Sequence, residues 1–151
     1  MASAAESRSE NDDASFFVGA RIAAGLRIGD VVALAGGLGA GKTTLAREII
    51  AALGYTGEVP SPSFAILEVY DAPPLRLAVV HADFYRLKDP AEARELGLDD
   101  YRGEAALIAE WPDHAGGFAH EPACLSIALE TADSGRVAVV SPGADWLERW
   151  R

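Results

Sequence analysis

The sequence predicts an α/β protein of three layers, with helices on both faces of a mainly parallel sheet that also has an antiparallel part. Short apolar runs alternate with segments of helical spacing, as expected of parallel strands joined by helices. The last two apolar runs are separated only by Asp133-Ser134-Gly135, which predicts a hairpin. The 151 residues are enough for one domain and leave little for a second.

The first part of the chain is predicted to place one buried strand between two helices. Residues 1–13 are polar and acidic and are interpreted as a flexible tail, and residues 14–151 as the single domain. The predicted elements are a helix capped by Asp12 or Asp13 and running to about Ala24, a strand at Val31–Ala35, a glycine-rich loop, a helix at Thr43–Leu53 and a turn at Pro60–Ser63.

The rest of the chain is predicted to contribute most of the strands. The apolar runs are short and are bounded by turn residues, which is typical of strands in a sheet. The predicted elements are strands at Phe64–Tyr70 and at Leu77–Val80 (ending near Asp83), a helix at Pro90–Leu96, strands at Ala106–Ala109, Leu125–Leu129 and Val137–Val140, and a short helix at Asp145–Trp150.

Charge and composition exclude several classes of protein. The formal net charge is −10, which argues against a free-standing nucleic-acid binder. No apolar run reaches the about 18 residues of a membrane span, and the start of the chain has no apolar signal-peptide core, so we expect a cytoplasmic protein with no membrane association.

The cysteine and histidine content argues against a zinc site. Cys124 is the sole cysteine, so the chain can form no internal disulfide and no cysteine-based zinc site. His81, His114 and His120 lack the spacing of a zinc-binding helix and are interpreted as surface or loop histidines.

The clearest motif is a phosphate-binding loop. The segment 36–43, GGLGAGKT, matches the pattern G-x-x-x-x-G-K-[ST] and stands between a predicted strand and a predicted helix. Glycines let successive backbone N–H groups face phosphate oxygens, Lys42 neutralises the β and γ phosphates, and the Thr43 hydroxyl is placed to bind Mg²⁺. The residues predicted to contact the nucleotide here are Gly37, Leu38, Gly39, Ala40, Gly41, Lys42, Thr43 and Thr44. The dinucleotide pattern G-x-G-x-x-G is absent.

Two carboxylates follow buried strands, where ligands bind in open α/β sheets. Asp83 is a candidate to hold Mg²⁺ through water, and Glu110 to orient or activate the attacking water and to serve as a further metal ligand. An ordinary polar residue at a strand end is the alternative for each. Ser63 in the turn 61–63 is a candidate contact of Mg²⁺ or the γ-phosphate, with a plain turn as the alternative. Trp111 is predicted to cover the site, to contact a partner or to be a buried core aromatic.

The sequence lacks motifs that are typical of other classes of nucleotide-binding protein, so fewer classes remain open. The sole asparagine, Asn11, precedes the loop, so no Asn-Lys-x-Asp guanine-reading segment exists, and the chain has no glutamine to position water. A small-molecule kinase remains possible, as does a non-hydrolysing ATP-dependent interaction module. The residues alone therefore indicate a compact Mg-ATP-binding α/β domain acting as an ATPase or a switch.

Five motifs in a fixed order make the chain resemble the TsaE (YjeE) family of P-loop proteins. The resemblance covers roughly residues 30–112. The motifs are 39–45 (GAGKTTL), 61–64 (SPSF), 81–87 (HADFYRL), 95–101 (ELGLDDY) and 110–112 (EWP). Two positions depart from the family pattern: Gly37 replaces the usual aspartate, and Ser63 replaces the usual threonine but keeps the hydroxyl.

The resemblance implies a P-loop NTPase-like fold and a bacterial ATPase needed to make threonylcarbamoyladenosine in tRNA. It implies that the protein acts with the TsaB–TsaD complex and meets tRNA only through that complex, which suits its net negative charge. It assigns phosphate and Mg²⁺ contacts to Lys42 and Thr43, a metal-site acid to Asp83, and the catalytic acid to Glu110 with Trp111 beside it. The turn 61–64 resembles a switch segment.

Overall fold

A computed structural model describes residues 12–37, 41–62, 66–132 and 135–150 of the chain. Within these ranges the main helices and the strands follow the predicted alternation, and two 3₁₀ helices supplement them at Pro112–Ala115 and Ala144–Trp146. The main elements are α1 (Asp12–Gly25), β1 (Val31–Gly36), α2 (Lys42–Ala52), β2 (Leu67–Tyr70), β3 (Ala78–Asp83), α3 (Ala91–Arg94), α4 (Leu98–Arg102), β4 (Ala105–Glu110), β5 (Cys124–Ala132) and β6 (Gly135–Pro142).

The described strands form one mixed sheet in the order β2-β3-β4-β1-β5-β6. The four central strands are parallel, with β1 between β4 and β5. The two edge strands run antiparallel, β2 against β3 and β6 against β5. This arrangement confirms the predicted mainly parallel sheet with an antiparallel part, including the hairpin that ends the sheet.

Alternate residues of each strand supply two separate cores, one on each face of the sheet. Val32 and Leu34 of β1 pack with α1 and α2 on one face. Val31 and Ala33 pack on the other face with residues of α3, α4 and the segment after β4, among them Phe118. The three predicted layers are therefore present. None of the described helices is long and apolar enough to cross a membrane.

Local departures from the predicted elements have identifiable causes. Of the helix predicted at Pro90–Leu96, only the four residues of α3 are helical, and the additional short helix α4 starts after Gly97, which takes the left-handed conformation with φ 72°. Of the strand predicted at Phe64–Tyr70, Phe64 and Ala65 lie outside the described residues, Ile66 is left-handed with φ 66°, and β2 covers the remainder. Of the predicted tail, residues 1–11 lie outside the described residues, and Asp12 and Asp13 are already helical.

The predicted C-terminal helix, Asp145–Trp150, is wrong. The segment forms only a 3₁₀ turn at Ala144–Trp146, because its side chains are fixed by tertiary contacts. Trp146 is fully buried and its indole N–H donates to the Ala123 carbonyl at 3.0 Å. Arg149 lies over the Trp146 ring and pairs with buried Asp30 at 2.6 Å, which ties the chain end to the start of β1.

Candidate active site

The candidate site lies at the carboxyl ends of the parallel strands β1, β3 and β4. Asp83, the last residue of β3, is the register partner of Glu110, the last residue of β4. Glu110 is also paired with Leu34 of β1, two residues before the glycine-rich loop begins. Parallel register therefore brings the two predicted carboxylates to the end of the strand that leads into the loop.

Lys42 is the first residue of α2 and is held inside the loop. Gly41 before it has φ 101°, a conformation that residues with a Cβ rarely adopt, and this turns the chain into the helix. Lys42 is only 5% exposed, and its ammonium donates to the carbonyls of Gly36 and Gly37 at 2.8 Å each. Burial lowers the pKa of Lys42 from its ordinary value, and the carboxylates of Glu110 and Asp83 oppose that shift.

Glu110 is the centre of the polar contacts in the site. Its carboxylate is 2% exposed and accepts a hydrogen bond from the Thr43 hydroxyl, at 2.8 Å from Oε1. The other oxygen, Oε2, lies 2.6 Å from Nε2 of His81. A buried carboxylate needs such donors, and these two hold it facing the N-terminus of α2.

The surface or loop position expected for His81 is wrong, since the residue is fully buried in β3. Strand β3 is covered on both faces, so even its polar side chains are enclosed. Sequence reasoning treated His81 as an isolated histidine and assigned it no role. The missed signal was the alternation of side chains along a β-strand, which puts His81 on the same face of β3 as Asp83.

Asp83 is the second acid of the site and is 9% exposed. Its Oδ1 accepts the backbone N–H of Tyr85 at 2.9 Å, which fixes the turn after β3, and its charge acts on Lys42. Among the described residues no three acidic, histidine or cysteine side chains converge on one point. A cation here would therefore take much of its coordination from a hydroxyl, from water and from its ligand.

Trp111 forms the outer wall of the site. Its backbone is left-handed, with φ 55°, and turns the ring back over the loop so that the Lys42 ammonium lies 4.2 Å from the ring centroid. The ring also packs against Tyr85 and His114, with centroids at 4.9 Å and 5.4 Å. Trp111 is half-buried, so it borders the site and is not one of the fully buried core aromatics.

The remaining predicted contacts are only partly described. Thr44 is exposed on α2, and Gly37 contributes the carbonyl that Lys42 binds. Leu38, Gly39, Ala40 and Ser63 lie outside the described residues, so their predicted contacts stay predictions.

The sequence matches a family model described as threonylcarbamoyl adenosine biosynthesis protein TsaE over residues 9–138. The chain belongs to the TsaE family. Two relatives of that name, tRNA threonylcarbamoyladenosine biosynthesis protein TsaE, come from Streptomyces coelicolor and Bacillus subtilis. They are 44% and 39% identical over 62% and 69% of this chain. The matched stretch spans 64% of the length of each relative, just under two thirds.

A solved structure agrees with this TsaE assignment. The crystal structure of Bacillus subtilis YdiB superposes with a TM-score of 0.79 at 28% sequence identity. The superposition covers 99% of this chain and 93% of that one. The likeness therefore extends over the whole TsaE-like sheet and its helices, including the strands after residue 112 where the sequence motifs end.

Proposed function

We propose that this TsaE-family protein is a Mg²⁺-dependent ATPase that supports threonylcarbamoyladenosine modification of tRNA together with the TsaB–TsaD complex. One observation carries the proposal: a buried carboxylate, Glu110, lies 2.8 Å from the Thr43 hydroxyl, next to the buried loop lysine. A loop that only binds phosphate needs no such acid, whereas hydrolysis needs a group that orients or deprotonates water.

The residues fit a nucleotide with its magnesium ion. Lys42 already presents its ammonium to two loop carbonyls, and phosphate oxygens are stronger acceptors for the same protons. The oxygens of Thr43, Asp83 and Glu110 are hard ligands of the kind that Mg²⁺ prefers. The ion would be held by Thr43 and Asp83, with Glu110 beside it, and when bound it neutralises charge on the phosphates.

Glu110 is the residue that we assign to the attacking water. Its charge acts on Lys42, and two donors fix the carboxylate, so its oxygens are held in one orientation. Trp111 packs against Tyr85 and His114 and borders the outer side of the site.

Family membership and charge support the proposed partner and location. A net charge of −10 does not favour direct contact with tRNA, so the nucleic acid would be reached through a complex that binds it. The relatives are named for threonylcarbamoyladenosine biosynthesis in tRNA, and the proposal accordingly includes a cytoplasmic location.

The deciding experiment compares ATP hydrolysis by the protein alone and with TsaB–TsaD added. We expect slow phosphate release alone and a marked increase with the complex. Phosphate transfer to an added metabolite would instead indicate a small-molecule kinase. ATP binding without turnover, even with the partners present, would indicate a non-hydrolysing interaction module.

Asp83→Asn should weaken the response of turnover to magnesium. The amide keeps the size of the side chain but loses the charge that favours a divalent cation, so the Mg²⁺ concentration for half-maximal turnover should rise by about 10-fold or more. Asp99→Asn on exposed α4 is the matched control and should behave as wild type. A magnesium titration identical to wild type would reduce Asp83 to a strand-end residue.

The protein alone should not bind tRNA at physiological salt. Only Lys42 and Lys88 are lysines, Lys42 is buried, and the net charge repels the phosphate backbone. Filter binding with labelled tRNA should show no complex at micromolar protein. A complex at that concentration would contradict the proposed indirect contact.

A further inference from the structure

His81 is a buried polar residue that the roles assigned so far do not use. It is completely inaccessible to solvent in β3, and its register partners are Ile108 on β4 and Glu68 on the edge strand β2. Burying an imidazole in such surroundings disfavours folding unless its polar atoms are used. The contact that it makes is with Glu110, at 2.6 Å.

The pattern of contacts identifies which ring nitrogen carries hydrogen. Nε2 faces Oε2 of Glu110, and an ionised carboxylate only accepts, so with Glu110 ionised Nε2 is the donor. Nδ1 has no hydrogen-bond partner among the described residues. Among the described residues, the imidazole of His81 is therefore held by one hydrogen bond. Its acceptor is Glu110, the residue assigned to orient the attacking water.

The two hydrogen-bond donors to Glu110, Thr43 and His81, differ in their burial and in the other contacts open to them. The Thr43 hydroxyl is half-buried at the start of α2 and is also the group placed to bind magnesium through its oxygen, so its bond to Glu110 belongs to the part of the site where the ligand binds. His81 is enclosed within β3, and its Nδ1 makes no hydrogen bond among the described residues. Of the two bonds, the one from His81 is therefore the one fixed by burial in the sheet.

We propose that His81 is a positioning residue: its Nε2–H holds Oε2 of Glu110 and fixes the orientation of the carboxylate from within the sheet, in addition to the bond from Thr43. The kinetic part of this inference rests on the proposed ATPase function. The arrangement itself does not, because the contact between His81 and Glu110 is a feature of the fold that can be tested without turnover.

The kinetic test compares His81→Leu, which removes the donor at similar size, with His81→Gln, whose amide N–H can reach the same oxygen. In partner-stimulated hydrolysis we expect kcat of His81→Leu to fall on the order of 10²-fold, the cost of a small misplacement of a reacting group. KM for ATP should stay within about threefold, and His81→Gln should recover most of the lost rate. Exposed His120→Leu is the matched control and should equal wild type.

A second readout needs no turnover. In nitrogen-15 histidine NMR of the nucleotide-free protein, His81 should carry its hydrogen on Nε2, as a slowly exchanging, downfield proton. That signal should move or disappear in Glu110→Ala. A hydrogen on Nδ1, or an Nε2–H signal insensitive to Glu110→Ala, would overturn the proposal whether or not His81→Leu folds.

The two readouts separate this inference from the proposed function. If the wild type hydrolyses no ATP with its partners, the ATPase proposal fails while the NMR result still decides the bond. If the wild type hydrolyses ATP and a folded His81→Leu retains kcat within threefold, the positioning role is wrong and the ATPase proposal stands.

Discussion

Lys42→Ala is expected to abolish tight ATP binding while leaving the fold intact. The ammonium is the buried positive group at the end of β1, and a triphosphate placed there without it would leave its charge uncompensated. Breaking a buried charge pair in this way costs about 3–5 kcal/mol, which corresponds to a dissociation constant on the order of 10²–10⁴ times larger. Calorimetric titration with ATP and Mg²⁺ measures the change.

Lys88 provides a matched control for the Lys42→Ala variant. Lys88, the other lysine, is exposed beyond β3, so Lys88→Ala removes the same charge from the surface and should leave affinity unchanged. The fold should survive Lys42→Ala because burial already disfavours the ammonium, as its lowered pKa indicates. An unchanged ATP affinity in Lys42→Ala would remove this residue from the site.

The elements that position the site were predictable because several local signals agreed there. The β-branched run of β1, the loop glycines and the apolar stripe of α2 each favour the same strand-loop-helix unit, and the structure confirms it. Asp83 and Glu110 were placed correctly at strand ends, and parallel register brings them together. That juxtaposition depends on strand order, which the sequence left open.

The parts that could not be predicted depend on tertiary contacts. The bond between His81 and Glu110 joins residues 29 positions apart, and no local pattern encodes it. The chain end at Trp146 forms a 3₁₀ turn because its indole and Arg149 bind distant carbonyls, which outweighs helix propensity. The left-handed Trp111 is likewise set by its aromatic neighbours and not by a turn signal.

Glu110→Gln is expected to separate catalysis from binding. The amide keeps the size of the side chain, and its carbonyl can still accept from His81 while the Thr43 hydroxyl rotates to accept from the amide. The amide of the variant, however, lacks the basicity that a carboxylate uses to take a proton from water. Partner-stimulated hydrolysis should therefore fall on the order of 10²–10⁴-fold, the usual contribution of a positioned general base.

ATP affinity should barely change in Glu110→Gln, or should tighten slightly, because a negative charge near the γ-phosphate has been removed. Phosphate release with TsaB–TsaD and parallel ATP titration measure the two effects, and exposed Glu104→Gln is the matched control. In a kinase the loss would appear in transfer to an acceptor, and a non-hydrolysing module would show no change. If hydrolysis stays within about threefold of wild type, less than about 1 kcal/mol in barrier, Glu110 is only a structural acid that holds Thr43 and His81 together.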